Sequence, residues 1–430
     1  MVATASRVVS VAGLNLTLDT RADIEPHLAN IDVNVTEELH FNGNTIGIEA
    51  ARALGERIQD MKALKVANLS DIFTRRDIDE IPPALESICG ALAKIATLEE
   101  VNLSDNAFGV RSVQPLVPLL HNRSIRVLKL NNNGLGPEAG KIVANALLES
   151  ANLSRAAGEQ SNLRIVICGK NRLEDGSAAA WAEAFAAHGN LTKVWLEQNG
   201  IRQKGFTTII RGLAKCTHLR YLNLRDNVGW EADEESDDTD VDAKHGWHAL
   251  AEALSHWKEL RHLNVSDCFV RPMGLQLLLD AFNHGYQSKL HTLLLDNDEL
   301  GETGYAKLSS VVTESLPSLT RLSLLWNDCL DDDEIAGLAE KIEGRGGQLI
   351  LEDDDELAEN WDDNADYIGE DIEAEISGTA AGPLRQKPMT IWSERWLHCT
   401  FLMSNRFIGG SRISTVLVCE RNFPMNSRDA

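Results

Sequence analysis

Leucine, valine and isoleucine recur along this chain in the register LxxLxLxxNxL, where two apolar positions flank one open position and a polar turn follows. The register can be laid down ten times. It is cleanest in Leu98–Phe108 (LEEVNLSDNAF), Leu191–Ile201 (LTKVWLEQNGI) and Leu319–Asp328 (LTRLSLLWND). The asparagine position falls on Asn44, Ile72, Asn106, Asn133, Asn171, Asn199, Asn227, Cys268, Asp298 and Asn327. Successive steps are 28, 34, 27, 38, 28, 28, 41, 30 and 29 residues. The base period is therefore 28–29 residues, with insertions near 72–95, 150–162 and 229–244.

The period dictates the elements. An LxL core is one short strand whose alternate side chains point inward. The asparagine that follows can bond backbone groups left unpaired by the turn. The second half of each unit has helical spacing: Ala50, Leu54 and Ile58 in one repeat, Ala139, Val143 and Leu147 in another. Pro137 sits where a first helical residue is expected. Small residues such as Ala50, Ala51, Ala144 and Ala146 let neighbouring helices approach closely. One strand and one helix per repeat predict an α/β leucine-rich-repeat solenoid, a ribonuclease-inhibitor-like horseshoe with parallel strands inside and helices outside.

Such a stack needs covered ends. Residues 1–35 are expected to form an atypical first unit, and the strand-like Gln348–Leu351 to close the last, giving a repeat domain over 1–351. Residues 352–375 hold 13 acids and no base, which reads as a disordered, solvated segment. Residues 376–430 return to aromatic and weakly basic sequence without the repeat. A monomer is expected, because a capped solenoid needs no second copy for stability.

The formal charge of −24 argues against nucleic-acid binding, which needs clustered Lys and Arg. Seven cysteines without a CxxC pair argue against a disulfide framework and a zinc site. No run of 18 apolar residues suggests a membrane span. Gly136–Ile142 (GPEAGKI) superficially resembles a phosphate loop, but the glycine spacing is short and Ile follows the Lys. No HExxH, GxSxG or metal-ligand spacing of histidines is found, so no metal and no cofactor is expected. The acidic run Glu231–Asp242 lacks the spacing of a calcium loop and reads as a solvated insertion. His40, His262 and His291 fall beside strand positions and are expected to be exposed on the concave face.

Polar residues instead gather at the turns. The two positions before each motif residue are Asn42/Gly43, Ser70/Asp71, Ser104/Asp105, Asn131/Asn132, Gly169/Lys170, Glu197/Gln198 and Arg225/Asp226. Both are expected to face solvent along one rim, an array suited to binding a protein.

Several strings go beyond the generic repeat: GNTIG (Gly43–Gly47), SDIFTRR (Ser70–Arg76), LSDNAFG (Leu103–Gly109), LNNNGLGPEAG (Leu130–Gly140), ICGKNRLEDGS (Ile167–Ser177) and QNGIR (Gln198–Arg202). With the acidic stretch after the repeats, they resemble the Ran GTPase-activating protein family, its fungal members above all, from about residue 10 to residue 375. The resemblance implies a cytoplasmic activator, with a perinuclear position compatible, acting in nucleocytoplasmic transport. The activator is not itself an enzyme. Its partner would be Ran in the GTP-bound state, optionally joined by a Ran-binding protein; magnesium and GTP belong to Ran. The family is understood to order Ran's own catalytic glutamine rather than to supply an arginine finger. Matched by register, the asparagine near that site is Asn132, with Asn133 left as a repeat asparagine. Arg76 aligns with the family arginine of the SDIFT string, and Lys170 replaces a family arginine while Arg172 is kept. Partner contacts are then expected from Asp71, Arg76, Asp105, Asn131, Lys170, Arg172 and Gln198. A second reading stays open: a non-catalytic leucine-rich-repeat scaffold or inhibitor.

Overall fold

Alternation in the apolar triplets produces three-residue strands in the computed structural model, which describes residues 6–227, 246–301, 303–327 and 332–351. The first half carries β1 (Val8–Ser10), β2 (Thr17–Leu18), β3 (Glu38–His40), β4 (Thr45–Ile46), β5 (Val66–Asn68), β6 (Glu100–Asn102) and β7 (Val127–Lys129). The second carries β8 (Ile165–Ile167), β9 (Lys193–Trp195), β10 (Tyr221–Asn223), β11 (His262–Asn264), β12 (Thr292–Leu294), β13 (Arg321–Ser323) and β14 (Gln348–Ile350). Twelve of them form one parallel sheet in sequential order, from β1 through β3 and β5 to β14. The short β2 and β4 pair separately. The middle residue of each three-residue strand but β14, among them Leu39, Val101, Val166, Leu222 and Leu322, is buried. This is the leucine-rich-repeat solenoid that the periodicity predicts.

Pairing is residue for residue, so each strand position continues as a row across the sheet. Val194 lies between Val166 and Leu222, and Leu263 between Leu222 and Leu293. A row places chemically different residues of successive repeats side by side, roughly 4.8 Å apart.

Helices return the chain after most strands. Ala50, Leu54 and Ile58 are fully buried in the helix Ile48–Ile58, as are Ala139 and Val143 in Gly136–Ala156. Two glycines let adjacent helices approach closely. A Cβ on Gly55 would stand 2.5 Å from the carbonyl oxygen of Ser87, and one on Gly212 2.4 Å from that of Ala182. The insertion near 150–162 lengthens a helix to 21 residues. Between β6 and β7 the chain makes only Gly109–Ser112, a 3-10 turn Gln114–Leu116 and Val117–Leu120. Pro115 and Pro118 fall inside that stretch and remove backbone donors that a continuous helix would use.

At the N-terminal end, β1 pairs in register with β3, and Arg21–Leu28 is a helix capped by Thr20 and Asp23. At the other end β14 pairs with β13. The insertion 229–244 with its acidic run, the acidic segment 352–375 and the tail 376–430 lie outside the described residues. No described helix is long and apolar enough to cross a membrane.

Candidate functional site

The motif residues form a hydrogen-bonded ladder behind the turns. From Ile72 to Asn199 each motif N–H donates to the side-chain oxygen of the next repeat's motif residue. Ile72 donates to Asn106 (2.9 Å), Asn106 to Asn133 (2.8 Å), Asn133 to Asn171 (2.9 Å), Asn171 to Asn199 (3.0 Å) and Asn199 to Asn227 (3.3 Å). The amide nitrogens donate to turn carbonyls of the same and the preceding repeat: Asn133 to Leu130 and Leu103, Asn227 to Leu224 and Leu196. Asn44 plays the same part at the start, accepting from Leu16 and donating to Val11 and Phe41, while Asn327 donates to Leu295 near the end. These asparagines therefore fix the turns and are spent on them. All but Asn327 are buried.

The turns share one backbone conformation. The residue before the motif position is left-handed in repeat after repeat: Asp71 (φ 48°), Asp105 (61°), Asn132 (50°), Lys170 (55°), Gln198 (50°), Asp226 (53°), Asp267 (57°), Asn297 (52°) and Trp326 (54°). This conformation is uncommon outside glycine, and Asn and Asp tolerate it best. A backbone ladder runs beneath: Asp105 N–H donates to Asn131 O (2.9 Å), Asn132 to Gly169 O (3.0 Å), Lys170 to Glu197 O (2.9 Å) and Gln198 to Arg225 O (2.8 Å). Asp71, Asp105, Asn132, Lys170 and Gln198 thus stand in one rigid row, consecutive from repeat to repeat.

From Ser104/Asp105 to Arg225/Asp226 only the second residue of each pre-motif pair is exposed, and at Asn42/Gly43 and Ser70/Asp71 both are half-buried, which corrects the expectation that both residues of every pair face solvent. The first is buried or half-buried because the left-handed residue after it redirects the chain. Ser104 and Glu197 are buried. Asn131, a predicted partner contact, is half-buried; its Oδ1 accepts Gly169 N–H at 2.6 Å and its own N–H donates to Ser104 Oγ at 3.1 Å.

The other predicted residues fall in distinct surroundings. Asn132 is exposed, and its Nδ2 donates to Asp105 Oδ1 at 2.9 Å. Its Oδ1 accepts from no described residue. Asp71 is half-buried and takes the hydroxyl of Thr74. Lys170 is exposed, with Nζ 3.9 Å from Glu197 Oε1. Arg172 is exposed and left-handed (φ 53°), two residues beyond the row, and no described carboxylate pairs with it. Gln198 hydrogen-bonds Asp226, whose carboxyl is pushed up by burial and by the neighbouring Asp267 charge. Arg76 is turned into the chain. Its guanidinium, 11% exposed, meets Asp19 at 2.5 Å and Glu80 at 3.9 Å, and its Nε donates to Thr45 Oγ1 at 2.9 Å. Arg75 beside it is the exposed base (φ 68°).

Two features went unread in the sequence. The row continues past Asp226 to Asp267, Asn297 and Trp326, for which the register of the later repeats was the available signal. Glu197 is a buried carboxylate that accepts from Trp195 Nε1 (2.7 Å) and Asn223 Nδ2 (3.0 Å). Among the histidines, His262 is buried rather than exposed. Tyr221 packs beside it at 6.3 Å, and burial with the Lys193 and Arg321 charges pushes its pKa down to about 3. His40 is half-buried against Glu38, and His291 is exposed just before β12. Cys89 and Cys168 are buried, with thiols pushed up to about 12 by that burial, so neither is poised as a nucleophile.

A family model described as leucine-rich repeat matches residues 121–141 and 215–228. Ran GTPase-activating protein 1 of Saccharomyces cerevisiae is 36% identical over 77% of this chain and 80% of the yeast protein. The chain belongs to the Ran GTPase-activating protein family. The Xenopus laevis family member is 42% identical, over 45% of this chain and 34% of its own length. Pig ribonuclease inhibitor is 24% identical over 73% of this chain and 64% of its own.

Proposed function

We propose that this chain binds Ran in its GTP-bound state through the turn row and accelerates GTP hydrolysis there, in the cytoplasm, by ordering Ran's own catalytic residues. A Ran-binding protein can share the complex, and magnesium and GTP remain with Ran. The activator's contribution is then positioning and electrostatics, which can lower a barrier without any bond being made to the activator. The observation that carries this reading is Asn132: exposed, at the middle of a rigid row, its amide nitrogen held by Asp105 and its carbonyl oxygen open to an incoming donor. A neutral amide fixed in this way can orient a partner's glutamine or an attacking water without adding charge.

Lys170 and Arg172 fit a binding role beside it. An arginine finger contributes about 10³–10⁵ in rate. Lys170 lacks the planar fork for that work, and Glu197 lies near its ammonium group. Arg172 has the right chemistry and is the control residue. The test is single-turnover hydrolysis of GTP on Ran at saturating activator. Asn132→Ala is expected to lower the maximal rate more than the affinity, and Arg172→Ala to weaken binding with the saturated rate retained. A thousandfold loss of saturated rate in Arg172→Ala would make that residue a finger and overturn the mechanism. Binding of Ran·GTP with no acceleration by the unaltered chain would leave a scaffold.

A further inference from the structure

The loop that follows β5 divides two adjacent arginines between two tasks. Arg76 is turned inward and acts as a clamp. Its Nη2 meets Asp19 Oδ1 at 2.5 Å and Thr45 O at 3.3 Å, and its Nε donates to Thr45 Oγ1 at 2.9 Å. The Thr45 hydroxyl in turn donates to Thr74 O at 2.8 Å. Thr74 gives its own hydroxyl to Asp71. Phe73 is buried and packs edge-on against Phe108, with ring centroids 6.5 Å apart. The residues on both sides of Arg75 are therefore held: Thr74 by Asp71 and Thr45, Phe73 by the core, and Arg76 by Asp19 and Thr45.

Arg75 itself holds nothing. It is exposed, and no described residue hydrogen-bonds or ion-pairs with its side chain, although Asp71, Asp77 and Asp79 are close in sequence. Arg76 N–H donates to Phe73 O at 3.0 Å, which closes a four-residue turn. Arg75 is the third residue of that turn, at φ 68°, while Thr74 before it is not left-handed. That pattern belongs to a type II turn, whose third position is the usual place of glycine or asparagine. A long side chain there is disfavoured, and this one returns no contact to the fold. The turn would close equally well on glycine. What arginine adds is a delocalised positive charge with several donors, carried into solvent on a stiff loop.

We infer that Arg75 is a partner-binding residue that pairs with a surface carboxylate of the GTPase seated on the turn row, and that Arg76 is the positioning residue that fixes the loop for it. The inference rests on the reading of that row as the Ran-binding face. A guanidinium meets a carboxylate or a phosphate through two parallel N–H bonds. Position selects the carboxylate. Asn132 marks where the partner's active site is met, and Asp71 stands two repeats before it in the row, about 10 Å away at ~4.8 Å per strand. Arg75, on the Asp71 turn, therefore meets the flank of the partner, whereas a GTPase keeps its nucleotide phosphates at the active site. A charge at the rim of a contact governs encounter and affinity more than the chemistry of the bound complex.

Single-turnover GTP hydrolysis on Ran is followed over a range of activator concentrations, with the full-length chain and its variants. Arg75→Gly should raise the half-saturating concentration about tenfold and keep the saturated rate. Its remaining affinity should depend less on salt. Its urea midpoint should not fall, because glycine suits the turn. Arg75→Lys should recover part of the affinity, since the charge is kept and the planar fork is lost. Arg76→Ala should also weaken binding, but with faster chymotryptic cleavage after Phe73, which Arg75→Gly does not show. An unchanged half-saturating concentration in Arg75→Gly overturns the inference. So does a fall in its urea midpoint together with its affinity, which would make Arg75 a support of the loop. A saturated rate about a thousandfold lower would make Arg75 a finger and overturn the inference as well. Failure of the unaltered chain to stimulate Ran would remove the reading of the row too, whereas indifference to Arg75 in a stimulating chain removes this inference alone.

Discussion

Repeats 106–227 and repeats 268–327 use the same turn and satisfy it differently. In the first region every step of the ladder is an asparagine: Asn106, Asn133, Asn171, Asn199 and Asn227, each accepting one or two backbone N–H groups and donating to carbonyls on two turns. In the second the motif residues are Cys268, Asp298 and Asn327. The left-handed residue before each motif position is kept on both sides, so backbone geometry alone does not distinguish them. Cys268 imitates the asparagine weakly, its thiol donating to Leu224 O at 3.1 Å. Asp298 imitates half of it. Its Oδ1 accepts Cys268 N–H at 2.9 Å and Val270 N–H at 3.3 Å, and its Oδ2 is buried without a partner, where an asparagine would present its donating amide. The turn is thus a property of the repeat, whereas its stability depends on which atom closes the ladder.

The largest effect should come from breaking the complete region. Asn171 accepts from Asn133 N–H and donates to the carbonyls of Leu130 and Gly169, with no solvent to replace any of these bonds. Leaving several buried groups unpaired costs about 1–3 kcal/mol each, so Asn171→Ala should lose roughly 3–5 kcal/mol in urea unfolding. Asn327→Ala, at a half-buried position, should lose clearly less. Equal losses would mean that the two regions are held alike.

Repairing the incomplete region should give the next largest effect, with the opposite sign. Burial raises the Asp298 carboxyl well above its ordinary value, and the Asp267 and Asp296 charges add to the rise. A raised folded pKa means that the folded protein holds the proton longer than the unfolded chain does. The stability tied to that proton is fully present below the unfolded value of about 4 and is lost as pH rises through the folded one. Asp298→Asn supplies the donor permanently. It should stabilise by about 1–2 kcal/mol at neutral pH, with a gain that shrinks toward pH 4. A gain independent of pH, read from unfolding across that range, would show that Asp298 carries no such proton.

Much of this was legible in the sequence. Leucine spacing gives each strand, and the motif asparagine falls at its turn even across the insertions. What escaped depends on three-dimensional closure. The period cannot say that Arg76 turns toward Asp19 and Thr45, 31 or more residues away in sequence, or that Arg75 is the base left outside. It cannot say which residue of a pre-motif pair faces solvent, because that follows from a left-handed φ carried by Asp, Asn, Lys and Gln alike. His262 looked exposed because its burial comes from neighbouring strands rather than from its own.

The smallest effect on stability gives the sharpest comparison of function. The pair Asn132 Nδ2 to Asp105 Oδ1 at 2.9 Å recurs as Asn297 Nδ2 to Asp267 Oδ1 at 2.8 Å, with both asparagines exposed and left-handed. Replacing either by alanine removes one exposed hydrogen bond and puts a Cβ without a side-chain bond into a left-handed turn. That should cost each variant about 1 kcal/mol. Stability therefore cannot separate them. Activity should: stimulated hydrolysis on Ran should fall in Asn132→Ala and stay unchanged in Asn297→Ala, because only the first stands beside Lys170 and Arg172. Equal loss in both would make the Asn–Asp pair a general support of the rim. Equal retention would move the catalytic contact away from the row of exposed turn residues.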